Sequence, residues 1–111
     1  MSDFKMNLAD VPGGLTVKLD GALELAACGV LDRALLGISA QKAKLVIFDL
    51  SGLTFVSSLA MGSMVAFRNG VVRSGGRVFL AGMSPLVLEC FRRPRLTELF
   101  QVRDSVAQCL P

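Results

Sequence analysis

The spacing of apolar residues changes part-way along this chain, and that change limits which folds are open to it. Apolar and polar residues alternate over residues 4–8 and again over residues 15–19, with a Pro-Gly-Gly turn at residues 12–14 between them. Alternation is typical of a strand with one buried and one wet face. We therefore expect an antiparallel hairpin at the start of the chain, with Leu8 on its buried side.

From Gly21 onward the apolar residues recur every third or fourth position as far as Ile38, which predicts an amphipathic helix. Residues Leu45–Phe48 are apolar at every position and predict a short central strand that is buried on both faces. A second helix is predicted over Ser58–Ser74. Its buried side gathers the apolar residues that fall together at about 100° per residue, namely Ala60, Met64, Phe67 and Val71.

The rest of the chain continues the alternation of strands and helices. A strand is predicted over residues 77–82, and a third helix follows with Ser84 as N-cap and continues to about Arg92. A short strand near residues 100–103 and a small helix capped by Asp104 or Ser105 complete it. This order predicts an α/β fold in one domain, residues 1–111, with a mixed sheet of four or five strands and helices mainly on one face.

The composition excludes several classes of catalytic and metal site. The chain has no histidine, so Ser-His and Cys-His nucleophiles and His-based metal sites are ruled out. Its three cysteines are scattered, without a C-x-x-C pair, and the glycine-rich nucleotide fingerprints are absent. Asp20, Glu24 and Asp49 are expected at separate strand ends and not as a catalytic pair. We expect no enzymatic activity, no cofactor and no metal.

The charge pattern argues against nucleic acid as a partner. The formal net charge is +3, the arginines cluster only in Arg92–Arg95, and no tyrosine or tryptophan is available to stack on bases. We interpret the arginines as a solvated helix C-terminus. No apolar run approaches the length of a membrane span, and the first ten residues lack the apolar core of a signal peptide. The cytoplasm is therefore the expected location, without membrane insertion.

Two adjacent serines, Ser57 and Ser58, stand where the predicted strand gives way to the second helix. One interpretation is structural, since either hydroxyl could cap the helix and stabilise it by roughly 1 kcal/mol. The other is regulatory, because a helix N-terminus tolerates the charge of a phosphate well. The residues alone leave both interpretations open.

The segment that contains these serines, LVIFDLSGLTFVSSLAMGSMV, resembles the central segment of STAS domains, the family of bacterial anti-sigma factor antagonists. Three further segments are similar to other parts of that family in the same order: LDGALEL, SGGRVFLAGMSPLVLECF and RLTELFQVRDSVAQCL. The resemblance extends over about residues 15–110. It implies the mixed sheet expected above and a function in binding a partner protein.

The resemblance also implies roles for individual residues. Ser58 falls on the phosphorylatable serine of the family, with Ser57 as the alternative, although the family usually has an aspartate at Ser57. Leu59 replaces a serine, and Glu24 keeps a carboxylate where the family has an aspartate. The partner-binding residues implied in this way are Glu24, Ser57, Ser58, Leu59 and Gly62.

Three functions follow as hypotheses. In the first, the chain is an anti-sigma factor antagonist that captures an anti-sigma factor, itself a serine kinase, and is controlled by serine phosphorylation. In the second, it is a STAS scaffold that no longer switches, a subunit of a lipid-transport or sensory complex. The third, a small enzyme or nucleotide-binding protein, has no sequence fingerprint. The oligomeric state is left open.

Overall fold

The computed structural model describes residues 4–111, so the first three residues of the expected single domain lie outside the description. The chain forms one five-stranded sheet in the order β1-β2-β3-β4-β5, in which only the β1–β2 pair is antiparallel. The strands are β1 (Lys5–Val11), β2 (Gly14–Leu23), β3 (Leu45–Val56), β4 (Arg77–Ala81) and β5 (Gln101–Arg103). The helices are α1 (Cys28–Ala40), α2 (Ser58–Arg73) and α3 (Pro85–Arg92). The predicted mixed α/β sheet is confirmed.

The N-terminal hairpin is present, but its outer strand is less buried than its alternation predicts. Val11 pairs with Gly14 across the turn, where Gly13 has φ +86°, a value that favours glycine. Leu8 lies opposite Val17, yet Leu8 is 51% exposed whereas Val17 is fully buried. The reason is that β1 is an edge strand with a neighbour on one side only.

The first helix begins later than its apolar spacing predicts. The chain stays in β2 through Gly21 (φ +87°) as far as Leu23, and a single 3-10 turn, Leu25–Ala27, precedes α1. Within α1 the buried residues are Cys28, Leu31, Leu35 and Ile38. The extra strand length carries the end of β2 alongside the end of β3.

The central strand is much longer than the predicted Leu45–Phe48, although its central place and two-sided burial are confirmed. Its pairing with β2 shifts register twice, and each shift gives β3 one extra residue. The buried residues in this part of β3 are consequently three apart: Leu50, Leu53 and Val56. Because this spacing is not the every-second-residue alternation of a regular strand, the second half of β3 was not predicted from the sequence.

The helices pack mainly on one face of the sheet, as predicted. Ala60, Met64, Phe67 and Val71 are the buried residues of α2, and Phe67 meets Phe48 of β3 edge to face at 5.8 Å between ring centroids. A smaller cluster on the opposite face is covered by a C-terminal 3-10 turn, Val106–Cys109. Ser105 precedes this turn but makes no side-chain cap. This arrangement fixes the start of α2 at the carboxyl end of the central strand.

Candidate functional site

The candidate site is the junction at which β3 passes into α2. Ser57 is the one residue between the end of β3 and the start of α2. Its backbone N–H donates to the carbonyl of Leu23 at 2.9 Å, which ties the end of β2 to the junction. Glu24 follows Leu23 directly and is exposed. The fold therefore brings Glu24 beside the two serines, although they are more than thirty residues apart in the chain.

Ser57 is the residue that caps the helix. Its Oγ accepts a hydrogen bond from the backbone N–H of Ala60 at 3.2 Å and lies 3.6 Å from the thiol of Cys28. The side chain is half-buried between the two helices that supply these contacts. Of the two serines that the sequence left open as the cap, the structure therefore selects Ser57.

Ser58 occupies the first helical position and is exposed. At about 100° per residue, it points away from the side of α2 that buries Ala60 and Met64. Leu59 is 55% exposed, and Gly62 is exposed one turn further on. We call the set formed by Glu24, Ser57, Ser58, Leu59 and Gly62 the junction surface. The first backbone N–H groups of α2 give this surface a partial positive charge, which favours an anion there.

A groove of about 740 Å³ opens beside the junction surface, between α2 and the segment that ends α3. Ser58, Met61, Gly62 and Val65 line it from α2, at the i, i+3, i+4, i+7 spacing of one helix side. The other walls come from the end of β3 and from residues in and after α3, namely Phe55, Val56, Cys90, Arg93, Pro94 and Leu96, with Ser57 at the junction. The apolar spacing of the sequence does not indicate this groove.

The arginines beside the groove lie at the C-terminal end of α3, where their charge suits the helix dipole. Arg92 forms an ion pair and hydrogen bonds with Glu89, and Arg93 Nε lies 3.7 Å from Glu89 Oε2. The hydrogen bond and charge of Arg92, together with the charge of Arg93, lower the pKa of the Glu89 carboxyl below its ordinary value. These arginines do lie at a helix end, as expected from the sequence. Arg93 in addition lines the groove, which the sequence did not predict.

Two of the acids expected at separate strand ends lie together. The Lys18 ammonium is 3.7 Å from Asp20 and 3.7 Å from Asp49, because the strands pair Lys18 directly with Asp49. Asp49 also accepts hydrogen bonds from the backbone N–H and hydroxyl of Ser51. This group forms a partly exposed ion-pair network and is separate from Glu24 at the junction.

The described residues, 4–111, contain neither a cluster suited to a metal ion nor a helix suited to a membrane. No three side chains of the His, Cys, Asp or Glu type come close enough together to hold a metal ion. None of the helices in this part of the chain has the length and apolarity needed to cross a bilayer.

Replacing Ser57 with alanine should lower the free energy of unfolding by about 1 kcal/mol, because the N–H of Ala60 loses its side-chain acceptor. Ser58→Ala is the matched control and should change stability by less than about 0.5 kcal/mol, as surface substitutions usually do. Urea denaturation of the two variants beside the parent measures both. A larger loss of stability for Ser58→Ala than for Ser57→Ala would mean that Ser58, and not Ser57, caps the helix.

Comparison with known proteins places the fold in a family. The model of the STAS domain family matches residues 5–109. A comparison with curated protein sequences gives no significant match.

Solved structures agree with the family match. An anti-sigma factor antagonist from Mycobacterium paratuberculosis superposes with a TM-score of 0.88 at 16% identity, covering 96% of this chain and 91% of that one. The antagonist SpoIIAA in its unphosphorylated form gives a TM-score of 0.81 at 19% identity, covering 94% of this chain and 91% of that one. Its phosphorylated form gives 0.71 at 18%, covering 95% and 94%. A sulfate transporter family protein from Wolinella succinogenes gives 0.72 at 16%, covering 86% and 80%. At these identities the likeness establishes the fold.

Proposed function

This chain belongs to the STAS domain family, and from that premise we propose that it is an anti-sigma factor antagonist. It holds an anti-sigma factor on the junction surface and releases it when Ser58 is phosphorylated. The anti-sigma factor is itself the serine kinase and brings the ATP. The antagonist supplies a phosphate acceptor and a surface and performs no catalysis. Both proteins act in the cytoplasm.

One observation carries this proposal: the two serines have different environments. Ser57 is half-buried and its hydroxyl is used in capping, whereas Ser58 is exposed on the outer side of the first turn. A kinase needs a hydroxyl that it can reach without unfolding the helix. Ser58 meets that need, and the cap on Ser57 keeps the first turn of α2 formed during the reaction.

The physics of the switch is local. A phosphoserine carries about −1.5 to −2 charges at neutral pH and three strong acceptor oxygens. At Ser58 the dipole of α2 compensates part of this charge, so the fold tolerates the modification. A partner seated on Leu59 and Gly62 meets the new charge at the centre of its contact. Like charges or a desolvated phosphate at that place weaken the complex.

Two features support the likeness to antagonists that switch. SpoIIAA is known in an unphosphorylated and in a phosphorylated form, and both superpose on this chain. The serine that the STAS resemblance aligns with the family's phosphate acceptor is the exposed one of the pair.

A second candidate is a STAS scaffold that binds a partner but accepts no phosphate. It is favoured by the replacement of the usual aspartate by Ser57 and by the likeness to a sulfate transporter family protein. The two candidates differ in one property, which is whether Ser58 reacts.

The experiment that tests the proposal uses purified protein and each anti-sigma factor kinase encoded in the source genome. After incubation with ATP, intact-mass spectrometry should show the addition of one phosphate, and peptide mapping should place it on Ser58. Ser58→Ala should abolish the mass increase, and Ser57→Ala should retain it. Binding of a kinase without any transfer of phosphate would favour the scaffold. Binding of none of the kinases would contradict the antagonist function.

A further inference from the structure

The function proposed above uses only the part of the groove that Ser57, Ser58 and Gly62 share with the junction surface. We propose that the groove receives a segment of the partner protein in which an apolar side chain stands next to a carboxylate. The apolar side chain fills the groove, and Arg93 pairs the carboxylate. This inference rests on the proposed function, because it extends the same partner's contact from the junction surface into the groove.

The lining of the groove is suited to an apolar group. Apart from the two serines, Gly62 and Arg93, its walls are the side chains of apolar residues or cysteine. Phe55 remains 46% exposed, although it is a large aromatic residue at the end of the central strand. An exposed apolar concavity next to exposed Leu59 is a typical protein-binding surface. A volume of about 740 Å³ accommodates a large side chain together with the backbone that carries it.

The charge of the groove indicates the second group that it binds, which is the carboxylate. Among the lining residues that the structure describes, Arg93 is the single charged one, and its side chain is 80% exposed. Its ion pair with Glu89 is open to solvent, and pairs of this kind contribute little. Glu89 keeps Arg92 as its closer partner if Arg93 turns away. The guanidinium of Arg93 is therefore free to bind a carboxylate with two parallel hydrogen bonds.

A protein segment fits these features better than a small molecule does. Exposed apolar surface is not confined to the groove, because Leu59, which is outside the groove lining, is 55% exposed on the junction surface. A small ligand inside the groove would leave Leu59 uncovered. A partner that covers the junction surface reaches the groove without leaving α2, since Ser58 and Gly62 belong to both surfaces.

The shared residue Ser58 connects the groove to the switch. A phosphate on Ser58 stands at the α2 wall of the groove, while the partner's carboxylate binds Arg93 at another wall of the same groove, so the two negative charges repel each other. The phosphate also offers Arg93 an alternative anion. Phosphorylation therefore acts on the groove contact and on the junction surface at once.

Alkylation of Cys90 provides a direct test of occupancy. Cys90 lines the groove and is half-buried, whereas Cys28 and Cys109 are buried and serve as internal references. Burial also raises the pKa of the Cys109 thiol, which lowers its reactivity further. With iodoacetamide under native conditions, a saturating amount of the anti-sigma factor kinase should slow alkylation of Cys90 at least tenfold, with no change at the other two.

The outcomes separate the two proposals. A kinase that binds tightly while Cys90 reacts at its free rate would overturn the groove proposal and leave the antagonist function intact. Failure of every kinase to bind would count against the function itself. Protection of Cys90 without a partner, together with a dimer in analytical ultracentrifugation, would identify a second copy as the occupant and overturn the proposal in that way.

A charge-reversal pair tests the role of Arg93. Arg93→Glu should raise the Kd for the kinase at least tenfold, and Arg93→Gln should raise it less. The matched control is Arg33→Glu, which makes the same change at an exposed position of α1 outside the groove and should leave the Kd within twofold. Thermal unfolding of each variant verifies that it is folded. Equal Kd values for Arg93→Glu and Arg33→Glu in folded proteins would refute the pairing.

Discussion

Replacing Phe48 with alanine is expected to lower the free energy of unfolding by about 3–5 kcal/mol, the largest stability loss that we predict for this chain. Phe48 is fully buried in the central strand and packs edge to face on Phe67 of α2. Truncation removes that contact and leaves a cavity under the helix that carries Ser58. Urea denaturation of the variant and the parent measures the difference.

Leu8→Ala is the control for this prediction, because Leu8 is also an apolar strand residue but is 51% exposed at the sheet edge. This variant should lose less than about 1 kcal/mol of unfolding free energy, since about half of the Leu8 side chain is already in water. Similar losses for Phe48→Ala and Leu8→Ala would mean that the core is not organised around the central strand as described.

Replacing Ser58 with aspartate is expected to weaken capture of the anti-sigma factor about a hundredfold, or ~2.7 kcal/mol. The added carboxylate imitates part of the charge of a phosphate at the centre of the contact. The melting temperature should stay nearly unchanged, because a negative charge suits the first turn of a helix. Ser58→Ala should keep capture. Titration calorimetry with the purified partner measures the affinities of both variants.

The control for Ser58→Asp is Gln108→Glu. It adds one negative charge in the exposed C-terminal 3-10 turn, on the other face of the sheet, and keeps the side-chain oxygen that accepts the N–H of Asp104. This variant should bind like the parent. Equal weakening by the two substitutions would point to net charge, and not to the position of Ser58, as the cause.

The elements that were predicted accurately from sequence are those whose apolar spacing is uninterrupted. Helix α2 buries the four residues that its period of about 3.6 places together. The element bounds that were predicted wrongly, the end of β2 and the length of β3, fall where these two strands shift register. There the buried positions of β3 are three residues apart, and the positive φ of Gly21 lies inside a strand that alternation alone ends too early.

The candidate site was only partly accessible to sequence reasoning. The serine pair is visible as two small hydroxyls between a strand and a helix, and the STAS resemblance supports Ser58. Which serine caps the helix and which is exposed became clear only from the structure, in which the N–H of Ala60 donates to Ser57 Oγ. The groove could not be predicted from the sequence, because its walls come from residues as distant in sequence as Val65 and Arg93. The packing of such distant residues leaves no pattern in the local sequence.

The central claim is that a phosphate on Ser58 decides whether the partner is held. The most direct measurement is a calorimetric titration of the same purified anti-sigma factor into the unphosphorylated protein and into protein whose phosphate has been mapped to Ser58. Our account predicts binding to the first and an affinity at least a hundredfold lower for the second. Equal affinities for the two forms would contradict it.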